Sequence, residues 1–224
     1  MEIKPIAKIY TLFPTKFGIP RQSRLVESTA KIVFEKEFRN DDALRGIEDF
    51  SHLWLIWEFS EAKQEKFSPT VRPPRLGGNI RMGVFATRSP FRPNSLGLSC
   101  VKLIKKEKTE NDGTVLYVSG ADILDGTPIY DIKPYLPFTD SVPEAIGGFS
   151  QAVEGNSLKV EFLCDASFLS NEDLKALTQL LENDPRPHYH TDEEKIYSFE
   201  YSHYNIKFTC DNEILYVRAI QSIQ

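Results

Sequence analysis

Apolar and polar residues alternate over short stretches of the first two thirds of the chain, the period-two signature of half-buried strands. The pattern predicts strands over residues 3–12, 29–38, 81–87, 96–105, 115–124 and 129–132. Residues 52–59 (HLWLIWEF) are apolar at nearly every position, which predicts a strand covered on both faces. Asn40 ahead of Asp41 and Asp42 predicts an N-cap and a short helix, closed by Gly46. Turn residues separate the strands at Asn111-Asp112-Gly113 and at Asp125-Gly126-Thr127-Pro128. Residues 60–79 turn from polar to Pro- and Gly-rich and predict a long ordered loop, and residues 89–94 a Pro-rich turn.

Many short strands with little helix predict a mainly β fold, an antiparallel β-barrel or sandwich, over residues 1–150. After Gly147-Gly148 the pattern changes. Residues 157–169 read as a strand. Ser170 opens a helix with Leu174, Leu177, Leu180 and Leu181 on one face, and Pro185 lies beyond its end. Residues 196–209 and 213–223 then predict a hairpin around Asp211-Asn212. Residues 151–224 are therefore expected to form a smaller α+β domain.

Composition adds bounds to this picture. The 224 residues are 41% hydrophobic and 26% charged, ordinary for a globular chain. No apolar run approaches the ~20 residues of a membrane span, and the first residues lack a signal-peptide layout. Cys100, Cys164 and Cys210 are odd in number and widely spaced. They fit a reducing compartment such as the cytoplasm better than a disulfide framework or a zinc site.

The net charge of −5 argues against a nucleic-acid partner until it is divided along the chain. Residues 66–106 hold nine Lys and Arg and no Asp or Glu; the remainder holds 18 basic and 32 acidic residues. Such a block either pairs with acidic surface elsewhere or faces an anionic ligand or nucleic acid. Its core, residues 71–99, combines Arg72, Arg75, Arg81, Arg88 and Arg92 with prolines and glycines. Five arginines on a stiff loop are better suited to phosphate or carboxylate than to bonding backbone carbonyls alone.

A second stretch, residues 122–140, mixes carboxylates, a lysine and tyrosines. Period-two spacing puts Asp131, Lys133 and Tyr135 on one face of a strand. That row either orders a catalytic pocket or forms a polar ladder. Arg186, His188, Tyr189 and His190 combine cations and rings as an RNA-loop reader does, or they form a surface turn. No dinucleotide-binding glycine motif, phosphate loop or serine elbow is present.

Five strings carry a family resemblance: residues 16–22 (KFGIPRQ), 44–55 (LRGIEDFSHLWL), 71–78 (VRPPRLGG), 83–94 (GVFATRSPFRPN) and 122–138 (DILDGTPIYDIKPYLPF). Together they resemble the TrmO family, also called TsaA or YaeB, densely over residues 3–150 and more loosely through residues 183–188 to the end. The resemblance implies a homodimeric β-barrel methyltransferase that uses S-adenosylmethionine. It implies N6-methylation of N6-threonylcarbamoyladenosine at position 37 of threonine tRNA.

By motif position, the resemblance implies donor contacts at Arg21, Gln22, Ser23, Ser60, Glu61, Arg88, Leu98, Ser99, Leu124, Asp125, Gly126 and Thr127. It makes Asp125 and Asp131 the carboxylates nearest the chemistry, with Lys133 and Tyr135 beside them. Arg72, Arg75, Arg81, Arg92, Arg186, His188 and Tyr189 are expected to face the anticodon loop. Neither a metal nor a membrane is implied. The chain has Ser60-Glu61 where relatives often have His-Gln, and Ser23-Arg24 where they often have Pro-Gly. Two other classes stay open: a non-catalytic module binding donor or RNA, and a methyltransferase acting on a small molecule.

Overall fold

The computed structural model describes residues 2–62, 66–73, 76, 78–153, 157–186, 195–211 and 213–223. Six strands form the first sheet: β1 (Ala7–Tyr10), β2 (Thr29–Phe34), β3 (His52–Glu58), β6 (Leu96–Thr109), β7 (Gly113–Ser119) and β8 (Thr127–Pro134). Their order is β1-β2-β7-β6-β3-β8, and β1 also pairs with β8, so the sheet returns to its first strand and closes. Every pairing in it is antiparallel. Closure leaves no unpaired edge along the sheet. Ile9, Ile32, Leu53, Leu55, Val101, Leu116, Val118 and Ile129 fill its interior with no solvent access.

β3 alternates, where its sequence predicted cover on both faces. Leu53, Leu55 and Trp57 point inward, while Trp54 and Ile56 are half-buried on the outer face. The stretch predicted as a strand over 81–87 is mostly a turn of 3-10 helix (Val84–Ala86), after the two-residue strand β5 (Met82–Gly83) that pairs with β4 (Thr70–Val71). Asn40 does cap, accepting from the Asp42 N–H, but the element it starts is a 3-10 turn (Asp41–Leu44).

A four-stranded sheet, in the order β10-β11-β12-β9, follows, made of β9 (Lys159–Phe162), β10 (Tyr197–Tyr201), β11 (Tyr204–Asp211) and β12 (Ile214–Ser222). A four-residue helix, α1 (Pro137–Asp140), precedes it in the chain. Helix α2 (Asn171–Glu182) starts at Ser170, whose Oγ accepts the Asp173 N–H at 3.0 Å. It buries Ala176, Leu177, Leu180 and Leu181 against Phe199, Ile206, Phe208, Leu215 and Val217. The predicted long strand over 196–209 is a hairpin, turning at Ser202, whose φ of 54° is left-handed without a glycine.

Phe13 and Val26, from the connection between β1 and β2, are buried in this second core. Gly18 lies so close to the sheet that a Cβ there would sit 2.4 Å from the Phe199 ring, and its φ is +102°. The connection that carries residues 16–23 is thus fixed from both sides, by the closed sheet and by the second one.

Candidate functional site

A cleft of about 560 Å³ opens where β3 and β6 leave the closed sheet, within the range of small-molecule sites, roughly 300–1,000 Å³. Trp57 forms its floor, 5% exposed, with the Phe59 ring 4.3 Å away centre to centre. Trp57 pairs with Gly97 across β3 and β6, and a Cβ on Gly97 would lie 2.3 Å from Trp57 Cε2. Only glycine lets the indole lie over β6. Leu98, Leu124 and Thr127 complete the apolar side.

A directed chain of hydrogen bonds crosses this floor. Trp57 Nε1–H donates to Ser99 Oγ at 2.9 Å. Ser99 Oγ–H in turn donates to Asp122 Oδ1. The Ser23 backbone also bonds the Asp122 carboxylate. Burial pushes the Asp122 carboxyl above its usual range, against the opposing pull of these bonds and of Arg88. Asp122 lines the cleft; Ser99 is fully buried beneath it.

The rim is made of charges that are already engaged. Lys16 bonds the Glu61 carboxylate at 3.2 Å and the Glu61 carbonyl at 2.9 Å. Glu58 accepts from Tyr130 OH at 2.7 Å, which pushes the phenol up to about 12. Arg21 Nη2 donates to the Asp184 and Arg186 carbonyls, binding the rim to the chain beyond α2. Arg88 Nη1 donates to Gln22 Oε1.

A larger cleft of about 1520 Å³ adjoins the first and shares Lys16, Arg21, Gln22, Thr87, Arg88 and Pro90 with it. Arg72, Arg81 and Arg186 line it, together with the exposed rings of Phe85 and Phe91. Arg81 donates to Thr70 Oγ1 at 3.1 Å.

Of the expected donor contacts, Arg21, Gln22, Ser60, Glu61, Arg88, Leu98, Leu124 and Thr127 line the smaller cleft. Ser23 and Ser99 support it from behind; the Ser23 hydroxyl accepts the Cys100 N–H at 3.3 Å. Asp125 and Gly126 tie the turn to the β1 end. Asp125 Oδ1 accepts the Thr11 N–H at 2.8 Å, and the Gly126 N–H donates to the Ile9 carbonyl at 2.9 Å.

Asp131, Lys133 and Tyr135 do share a face, but they line neither cleft. Lys133 pairs with Asp131 at 2.9 Å, and the Tyr135 ring packs on Trp54 and His52. Trp54 joins this row to the cleft, its indole N–H donating to Asp140 Oδ2 at 2.9 Å.

Arg92 lines the smaller cleft, with Nη1 donating to the Thr87 and Val84 carbonyls. Arg186 is 12% exposed and forks onto Asp184, through Nε at 2.8 Å and Nη2 at 3.0 Å. Arg75, His188 and Tyr189 lie outside the described residues. Asp122, Trp57, Glu58 and Lys16 are additions that no spacing rule picked out. The available signal for Asp122 was a carboxylate set between Ala121 and Ile123, both now seen in the core.

Known proteins match this chain along its length. The tRNA-methyltransferase O N-terminal domain family matches residues 8–141, and the TrmO C-terminal domain family matches residues 156–223. The chain is 39% identical to the tRNA (adenine(37)-N6)-methyltransferase of Escherichia coli, over 92% of each chain. It is 42% identical to the protein of that name from Eikenella corrodens, over 78% of this chain and 99% of the relative. A crystal structure of TrmO from Pseudomonas aeruginosa superposes with a TM-score of 0.79 at 29% identity, over 99% of this chain and 97% of that one. These matches, spanning both sheets and the cleft between their loops, show that the chain belongs to the TrmO family.

Proposed function

We propose that the protein is an S-adenosylmethionine-dependent tRNA methyltransferase acting on N6 of N6-threonylcarbamoyladenosine at position 37 of threonine tRNA. The observation that carries this reading is the junction of the clefts: a small one with an apolar floor opens into a large one lined with arginines. The small cleft suits the donor. Trp57, Leu98 and Leu124 offer apolar cover for it. When bound, the donor supplies an electrophilic methyl group on a sulfonium. The closed sheet is read as the family's donor-binding barrel.

The chain's own residues then position the acceptor. N6 of the modified base lies beside a carbamoyl carbonyl, so its lone pair is delocalised and its proton must be taken up at the transition state. Holding the acceptor in line with the methyl group supplies most of the remaining help. By motif position Asp125 and Asp131 are the carboxylates proposed for the proton. In this structure both lie outside the clefts, Asp125 holding the Thr11 N–H and Asp131 paired with Lys133, so either would have to turn toward the acceptor when tRNA binds. Asp125→Asn or Asp131→Asn should lower turnover far more than donor affinity; equal loss of both would place that residue in the donor site instead.

The threonyl carboxylate of the substrate needs a cation, and an unmodified adenosine would leave that cation unpaired. Arg88 is the best supported clamp, because it stands where the clefts meet and bonds one side-chain oxygen. Arg92 is held by two loop carbonyls. Arg72 and Arg81 are read as phosphate contacts to the anticodon loop.

The working form is proposed to be a homodimer in the cytoplasm. Phe138, 86% exposed, is an apolar residue that a second copy would cover. A monomer by light scattering would remove that element of the reading. The reading as a whole is tested by mass spectrometry of threonine tRNA from a deletion strain. The methyl group on the threonylcarbamoyl base should vanish; its persistence would refute the assignment.

A further inference from the structure

The charges lining the smaller cleft differ in how they are already held. Lys16 has Glu61, Glu58 has the Tyr130 phenol, and Arg92 has two carbonyls. Asp122 has neutral hydrogen-bond donors: the Ser99 hydroxyl and backbone N–H groups, among them that of Ser23. Among the described residues no cation lies within ion-pair distance of it, and Arg88 reaches it only by longer-range attraction. Resting on the reading of this cleft as the donor site, we propose that Asp122 is the counter-ion for a cationic group of S-adenosylmethionine, its sulfonium or its α-ammonium.

Three features support this. A partly buried carboxylate without a cation is costly, and a ligand that brings the missing charge relieves that cost. Its orientation is fixed in advance: Ser99 Oγ accepts from Trp57, so its one proton is directed to Asp122. The carboxylate also sits beside the apolar floor, where water competes least for a ligand cation. Ser99 and Trp57 are, on this view, positioning residues that act through Asp122.

Isothermal titration of the purified full chain with S-adenosylmethionine and, separately, S-adenosylhomocysteine tests the proposal. The second compound keeps the ammonium and lacks the sulfonium charge. Asp122→Asn keeps the shape and the acceptor for Ser99, and should weaken S-adenosylmethionine binding by about tenfold or more. A loss confined to S-adenosylmethionine assigns the sulfonium; an equal loss for both compounds assigns the ammonium. Ser99→Ala, which keeps the charge but frees its orientation, should weaken binding several-fold and serves if Asp122→Asn does not fold.

Wild-type donor affinity in folded Asp122→Asn, with or without loss of turnover, would overturn the proposal; with such a loss, Asp122 would be a proton acceptor. Failure of the wild type to bind S-adenosylmethionine would instead overturn the reading of the cleft.

Discussion

Gly97 and Trp57 show how closely one residue governs the floor of the cleft. A methyl group on Gly97 would overlap the indole, so Gly97→Ala must push Trp57 off β6 and away from Ser99. Overpacking of this kind costs about 1–3 kcal/mol. A loss of that size in urea unfolding, together with weaker donor binding, is the expected result. Asp122 carries the opposite expectation in the absence of ligand. Its folded carboxyl holds a proton more tightly than the unfolded one, whose ordinary value is 3.8. The contribution of Asp122 to wild-type stability therefore falls as pH rises from that value through the raised one. Asp122→Asn removes the titration, so its melting temperature should gain on the wild type as pH rises across this window and match it most closely at acid pH. The opposite trend would mean that the carboxylate already has a compensating partner. None of this could be read from spacing. The string around Asp122 is visible in the sequence, but its contact with Ser99 joins positions 23 residues apart.

At the scale of elements, the connection between β1 and β2 serves two purposes. Its Phe13 and Val26 complete the core under the second sheet, and its Arg21 and Gln22 line both clefts. Arg21 fastens the two together through the Asp184 and Arg186 carbonyls. Arg21→Ala should cost about 2 kcal/mol and speed amide exchange around residues 184–186; unchanged exchange there would show that the strut is not needed. Strands with alternating residues were legible: β2, β6 and β7 fall within or overlap the stretches that the pattern marked, and Ser170 caps α2 as its sequence predicts. The hairpin turn at Ser202 was not, because neither Ser202 nor His203 is a turn-forming glycine or proline. The 3-10 turn after β5 also escaped, since Val84, Phe85 and Ala86 suit a strand equally well by composition. Loop residues that bond distant carbonyls, such as Arg21 and Arg92, carry no local periodicity at all.

For the whole molecule, charge is the property that matters most for a nucleic-acid partner. The chain is acidic overall, while the block that supplies Arg72, Arg81 and Arg88 to the larger cleft contains no carboxylate. An acidic remainder limits indiscriminate RNA binding and leaves one cationic face. Binding of an anticodon stem-loop should therefore weaken with salt. Replacing Arg72 and Arg81 by Ala should lower the slope of log affinity against log salt by about 0.7 for each phosphate no longer neutralised, with donor affinity unchanged. An unaltered slope would favour a small-molecule acceptor.

The most direct measurement is a reconstituted reaction: purified protein, S-adenosylmethionine, and threonine tRNA bearing either N6-threonylcarbamoyladenosine or plain adenosine at position 37, with nucleosides resolved by mass spectrometry. One added methyl group on the threonylcarbamoyl nucleoside, with plain adenosine left unmodified, is the predicted result. Methylation of neither tRNA, while the protein still binds the donor, would contradict it.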